Sequence, residues 1–105
     1  MSEDRAVYAA VAEAARVGRP AVLATIVRAR GSTPRGVGAK MLVDPEIGLV
    51  GTIGGGCGEA EALRAAREVA ATGVPRLLRI DLTEELLSWS PAVCGGVFEV
   101  FLERI

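Results

Sequence analysis

Cys57 and Cys94 are the chain's two thiols, and both stand in glycine-rich stretches. Cys57 falls in Gly54-Gly55-Gly56-Cys57-Gly58, at the expected start of a helix. The positive end of a helix dipole favours a thiolate there, which raises nucleophilicity and metal affinity. Cys94 precedes Gly95-Gly96, where backbone without Cβ atoms can approach a ligand closely. The plainer reading of each cysteine is a small buried hydrophobe. Being far apart in sequence, the two form neither a CxxC pair nor, alone, a four-thiolate zinc site.

The glycine run itself has two physical uses. Its bare amides, with the free N–H groups of the helix start, suit an anion; alternatively, only glycine fits a tight strand-to-helix turn. Gly54 and Gly56 supply G-x-G of a dinucleotide fingerprint, but the third glycine position holds Glu59, and no GK[ST] follows to complete a P-loop. Glu59 and Glu61 suit the helix dipole but would repel a phosphate in the same space, so one of them is expected to face solvent or to contact a hydroxyl or ring nitrogen; the plainer reading of both is helix-start carboxylates. Arg30-Gly31-Ser32-Thr33-Pro34-Arg35-Gly36-Val37-Gly38-Ala39-Lys40 adds hydroxyls and cations. This composition suits a polar, phosphate-bearing ligand or a solvated loop.

Composition removes other chemistries. The chain has no histidine, which excludes Ser-His-Asp arrangements and imidazole metal ligands. Twelve basic and thirteen acidic residues leave a formal charge of −1, without the basic footprint of a nucleic-acid binder. Eleven of the twelve cations are Arg, Lys40 being the one lysine. No apolar run approaches the roughly 20 residues that span a bilayer, and no secretion signal is evident, so a cytoplasmic protein with reduced thiols is expected. At 105 residues, 50% of them hydrophobic, and a mean hydropathy of +0.37, one folded domain is expected, with some apolar surface covered by a partner chain.

The elements that must position these residues follow from periodicity. Residues 3–17 read as a helix with Val7, Ala10, Val11 and Ala14 on its core face, Ser2 as cap and Tyr8 as a packing residue. Residues 21–29 form a near-continuous apolar run, the pattern of a strand buried on both faces. Strands over 39–44 and 49–53 make a hairpin around Asp44-Pro45-Glu46-Ile47-Gly48. A helix over 59–71 presents Ala62, Leu63, Ala66, Val69 and Ala70, and Gly73 with Pro75 stops it. Strands over 76–82 and 97–103 follow, separated by a short helical turn over 83–87 and an irregular stretch in which Trp89 reads as a packing residue. The order is α-β-β-β-α-β-β, a mixed α/β (α+β) domain with two main helices on a mixed sheet of about five strands. If the first and third strands run the same way, their following loops leave one end of the sheet. Cys94-Gly95-Gly96 joins them there only if the last strand runs antiparallel to the third.

Gly31-Ser32-Thr33-Pro34-Arg35, Gly38-Ala39-Lys40-Met41, Gly51-Thr52-Ile53-Gly54-Gly55-Gly56-Cys57 and Cys94-Gly95-Gly96-Val97-Phe98-Glu99-Val100 together resemble the XdhC/CoxI family, accessory factors of molybdenum hydroxylases such as xanthine dehydrogenase and carbon monoxide dehydrogenase. The resemblance runs through almost the whole chain. It implies a chaperone, not an enzyme, that binds the molybdenum cofactor in its molybdopterin form, works with a cysteine desulfurase that sulfurates it, and passes it to an apo-molybdenum hydroxylase. Ser32, Thr33, Arg35, Gly54, Gly55, Gly56, Cys57, Glu59, Cys94, Gly95 and Gly96 are then the expected cofactor-binding residues. Cys57 and Cys94 are the candidates to approach molybdenum, since soft thiolates suit it. Longer members of the family carry a Rossmann-like domain after such a unit. Residues 1–105 are expected to be the first domain alone, with the second on a separate polypeptide or absent, and a homo-oligomer, dimer favoured, completing the site. Two other readings stay open. A redox or sulfur-transfer protein would use Cys57 as nucleophile and Cys94 as resolving thiol; a structural interaction module would bind no small molecule.

Overall fold

The computed structural model describes residues 2–33, 35–54, 58–82 and 95–105. Pro34, Gly55, Gly56, Cys57, the expected helical turn over 83–87, Trp89 and Cys94 therefore lie outside the described residues. The elements are α1 (Ser2–Val17), β1 (Val22–Arg30), β2 (Lys40–Asp44), β3 (Gly48–Gly51), α2 (Glu59–Thr72), β4 (Arg76–Asp81) and β5 (Val97–Arg104). This is the expected order, with five strands and two main helices. Ser2 is the first helical residue of α1, where a cap just outside the helix is expected.

The strand order is β3-β2-β1-β5-β4. Every neighbouring pair is antiparallel. The expected mixed sheet is thus corrected to an antiparallel one. The helix between β3 and β4 does return the chain so that both strands run the same way. But β2, β1 and β5 lie between them, so no parallel neighbours arise.

The two helices lie on opposite faces. Val22, Ala24, Ile26 and Met41 join Phe98, Val100 and Leu102 on the face under α2, where Ala62, Ala65, Ala66 and Val69 complete the main core. Ala14 of α1 packs with Ala21 and Leu42 on the other face, with Ala10, Val11, Leu23 and Val50 around them. The strict alternation of β5, Phe98, Val100 and Leu102 inward and the intervening residues half-exposed, matches its sequence pattern. β1 departs from the expectation of burial on both faces: Val22, Ala24 and Ile26 are buried, but Val27, Arg28 and Arg30 are exposed. The cause is that α1 covers only the β2–β3 side of its face. Tyr8 is likewise 55% exposed and is not a core residue.

Candidate functional site

Strand directions bring the glycine-rich segments together. β1 and β3 run the same way and β5 runs against them. The loop after β1, residues 52–54 after β3 and residues 95–96 before β5 therefore all lie at one end of the sheet. Direct contacts tie these segments. The Gly95 N–H donates to the Ser32 carbonyl at 3.1 Å, and the Leu82 N–H donates to the Gly96 carbonyl at 2.8 Å. The Arg35 guanidinium donates from Nη1 to the Thr52 carbonyl at 3.2 Å, linking the first loop to the second.

Thr52 organises the glycine run. Its hydroxyl accepts the Gly54 N–H at 3.1 Å and donates to Glu59 Oε2 in a short contact. Residue type alone does not single out Thr52; its position between strand and glycine run is the signal that marks it. Glu59 is thereby tied to the loop, with one of its two carboxylate oxygens used. The Gly54 amide is spent within the turn and is not an open anion donor. The Thr33 hydroxyl donates to the Arg35 carbonyl at 3.0 Å, a local turn bond that shapes the loop.

Two glycines here are dictated by packing. Gly58 caps α2 at φ 78°, and a Cβ there would lie 2.7 Å from Ile80 Cγ2. At Gly96 a Cβ would strike the Arg30 carbonyl oxygen and lie 2.6 Å from Thr33 Cγ2 and 2.9 Å from the Ser32 oxygen. The space beside Gly96 belongs to the first loop, not to a ligand. The neighbours of both cysteines are thus fixed: Gly58 sits against Ile80 and Phe98, and Gly95–Gly96 sits against 30–33.

Groups that can bind an anion remain. Among the described residues no side chain caps α2. Its first bond as a helix runs from the Ala62 N–H to the Gly58 carbonyl at 3.1 Å, so the N–H groups of Glu59, Ala60 and Glu61 have no acceptor inside the helix. They lie at the same end of the sheet as Ser32 and Arg35, an arrangement whose chemistry suits a phosphate-bearing polar molecule. Among the described residues no cluster of three Asp, Glu or Cys is placed to hold a metal ion, and no helix is long and apolar enough to cross a membrane.

Comparisons with known proteins find relatives of this chain. A Bacillus subtilis protein named as a probable xanthine dehydrogenase subunit is 37% identical over 87 residues, covering 81% of this chain and 26% of that protein. The "Molybdenum cofactor insertion chaperone PaoD" of Escherichia coli is 33% identical over 105 residues, covering 98% of this chain and 32% of its own length. The crystal structure of a protein described as a xanthine dehydrogenase from Bacillus halodurans superposes with a TM-score of 0.72 at 36% identity, over 86% of this chain and 27% of that one. The chain thus spans about a third or less of each of these relatives. Residues 14–81 match the family model described as "XdhC and CoxI family", and the chain belongs to that family.

Proposed function

We propose that this chain is the cofactor-contacting unit of a maturation factor that binds molybdopterin and delivers it to an apo-molybdenum hydroxylase of the xanthine dehydrogenase or carbon monoxide dehydrogenase type. The observation that carries the reading is the meeting of three glycine-rich segments at one end of the sheet, in a chain related over 98% of its length to a molybdenum cofactor insertion chaperone. Arg35 and the first-turn amides of α2 would hold the phosphate. Ser32, Thr33 and Gly95 would offer polar atoms to the pterin, with Gly54, Gly55, Gly56 and Gly96 shaping the backbone beside it and Glu59 positioned by Thr52. Cys57 and Cys94 would face the molybdenum side, where soft thiolates suit the partner. The bound group supplies the redox centre of the target enzyme; the chain's own residues bind, orient and shelter it.

A chain without histidine, with Glu59 held against Thr52, fits a carrier better than an enzyme. A cysteine desulfurase would sulfurate the held cofactor in the cytoplasm. A Rossmann-like domain, in the same or another polypeptide, and a second copy of the chain would complete the enclosure. The test is anaerobic purification from cells making molybdopterin, with the pterin oxidised and measured by fluorescence. Near-stoichiometric pterin, reduced about tenfold in Cys57→Ala and Cys94→Ala, is expected. A chain free of pterin, while a full-length family member retains it under the same conditions, overturns the reading.

A further inference from the structure

Among the described residues no helix covers the outer face of β4, β5 and the second half of β1. A β-bulge decides what stands there. Ile26 pairs with Val100, but the register then slips by one residue, so that Arg28 pairs with Glu99 and Arg30 with Val97. Without the slip, Arg28 and Arg30 would follow Ile26 onto the buried face under α2. With it, Ala29 takes the inward position opposite Phe98 and both arginines turn outward. Bulges recur where a strand must re-aim side chains beside a site.

Arg79 of β4 pairs with Glu99 from the other side, so Arg28, Glu99 and Arg79 form one row across three strands. Their backbones are spaced by about 5 Å per strand, and Arg30 stands about 7 Å further along β1. These three arginines, with Val97 and Glu99, line a concavity of about 390 Å³. The carboxylates beside them are held at long range. Arg28 lies 3.4 Å from Glu99, and Arg79 lies 4.0 Å from Asp81. A charge-assisted bond closes to about 2.8 Å. The Arg30 guanidinium makes no ion pair with a described residue.

We propose that Arg28, Arg30 and Arg79 form a binding site for a phosphate or diphosphate group on this open sheet face. The planar guanidinium fork matches phosphoryl oxygens two at a time, and arginine is the residue type suited to such recognition. The site adjoins the glycine rim, because Arg30 precedes Gly31 and Val97 follows Gly96 in the chain. It is nonetheless a separate place on the fold: the rim has the first-turn amides of α2 with Arg35, whereas the face has three guanidinium groups on β1 and β4. The proposal stands without the cofactor reading, since pterin retention tests the rim and anion titration tests the face.

The experiment is calorimetric titration of the purified chain with inorganic diphosphate and with inorganic phosphate at low ionic strength, with amide chemical shifts followed in parallel. Saturable binding is expected, tighter for diphosphate, with shifts at residues 28–30, 79–81 and 97–99 that are lost in Arg30→Gln and Arg79→Gln while any at the rim, residues 35 and 59–61, are kept. Arg30→Gln and Arg79→Gln should each weaken it about tenfold, and Arg30→Lys less, because a lysine keeps the charge but loses the fork. Arg67→Gln, an exposed arginine on α2, should leave it unchanged. These side chains lie on the surface, so melting curves should show all variants folded. No saturable binding, or a loss as large in Arg67→Gln as in Arg30→Gln, overturns the proposal; the latter result would mean diffuse attraction to any arginine.

Discussion

The two ends of the sheet solve the same problem differently. Where β2 turns into β3, charged side chains close the backbone. Asp44, the only buried charged residue among those described, accepts the Glu46 N–H at 2.9 Å and the Ile47 N–H at 3.4 Å through Oδ1, and Arg19 Nε at 2.9 Å through Oδ2. At the same end the Arg104 guanidinium donates to the Ala70 carbonyl at 3.0 Å, and the Ile105 N–H donates to the Ala21 carbonyl at 2.9 Å. The opposite end, the glycine rim, is held by main-chain bonds, by Thr52 and by Arg35, and no side chain of the described residues caps the start of α2 there. The difference teaches a division of labour. One end spends its polar groups on itself; at the other, the first-turn amides of α2 have no acceptor inside the helix, and glycine lets segments cross closely.

Breaking the rim's packing gives the largest expected effect. Gly96→Ala drives a Cβ into the Arg30 and Ser32 carbonyls, which are backbone and cannot swing away. A loss of about 3 kcal/mol is expected, read by urea denaturation. Unchanged stability would mean that the 30–33 and 95–96 segments do not cross as described.

Asp44→Asn attacks the other end. Burial pushes the Asp44 carboxyl up, but the N–H groups of Glu46 and Ile47 and the Arg19 guanidinium outweigh it and hold the group below its ordinary value. The stability it contributes is therefore complete above the usual carboxylate range, near pH 4, and is lost as pH falls through the lowered native value. The variant should melt about 5 °C or more lower at neutral pH and show a flatter decline in acid. An acid limb as steep as that of the parent chain would remove Asp44 from this role.

Arg35→Ala separates binding from folding. The side chain makes a half-buried bond to the Thr52 carbonyl, so a stability change of about 1 kcal/mol is expected alongside a fall of about tenfold in retained pterin. Pterin retention as in the parent chain would take Arg35 out of the site. The smallest effect belongs to the exposed pair Arg76–Glu68, 2.7 Å apart and linking α2 to the start of β4. Arg76→Gln should change stability by about 0.5 kcal/mol or less in denaturation and leave pterin unaffected.

Much of this architecture is legible in the sequence. The core face of α2 follows from its alanine and valine spacing, and β5 from its alternation. The stop of α2 at Gly73 is equally readable, with its N–H bonded to the Val69 carbonyl at 2.8 Å. The antiparallel sheet is not legible, because it depends on β5 inserting beside β1, a choice made by long-range pairing. Nor is the bulge at Val27: TIVRAR reads as a plain strand until β5 supplies the register that re-aims Arg28 and Arg30. At the rim, residue types mark Ser32, Thr33, Arg35 and Glu59, but types alone cannot separate a ligand contact from an internal bond. Thr33 and Glu59 make internal bonds, and Gly96 is fixed by a neighbouring loop.

The division between the two ends is tested most directly by hydrogen exchange with and without added molybdopterin under anaerobic conditions. Slowed exchange confined to peptides covering 31–40, 52–62 and 95–98 is the predicted result, with 18–21, 44–48 and 73–76 unchanged. Protection at the Asp44 end, or none anywhere at saturating cofactor, would contradict it.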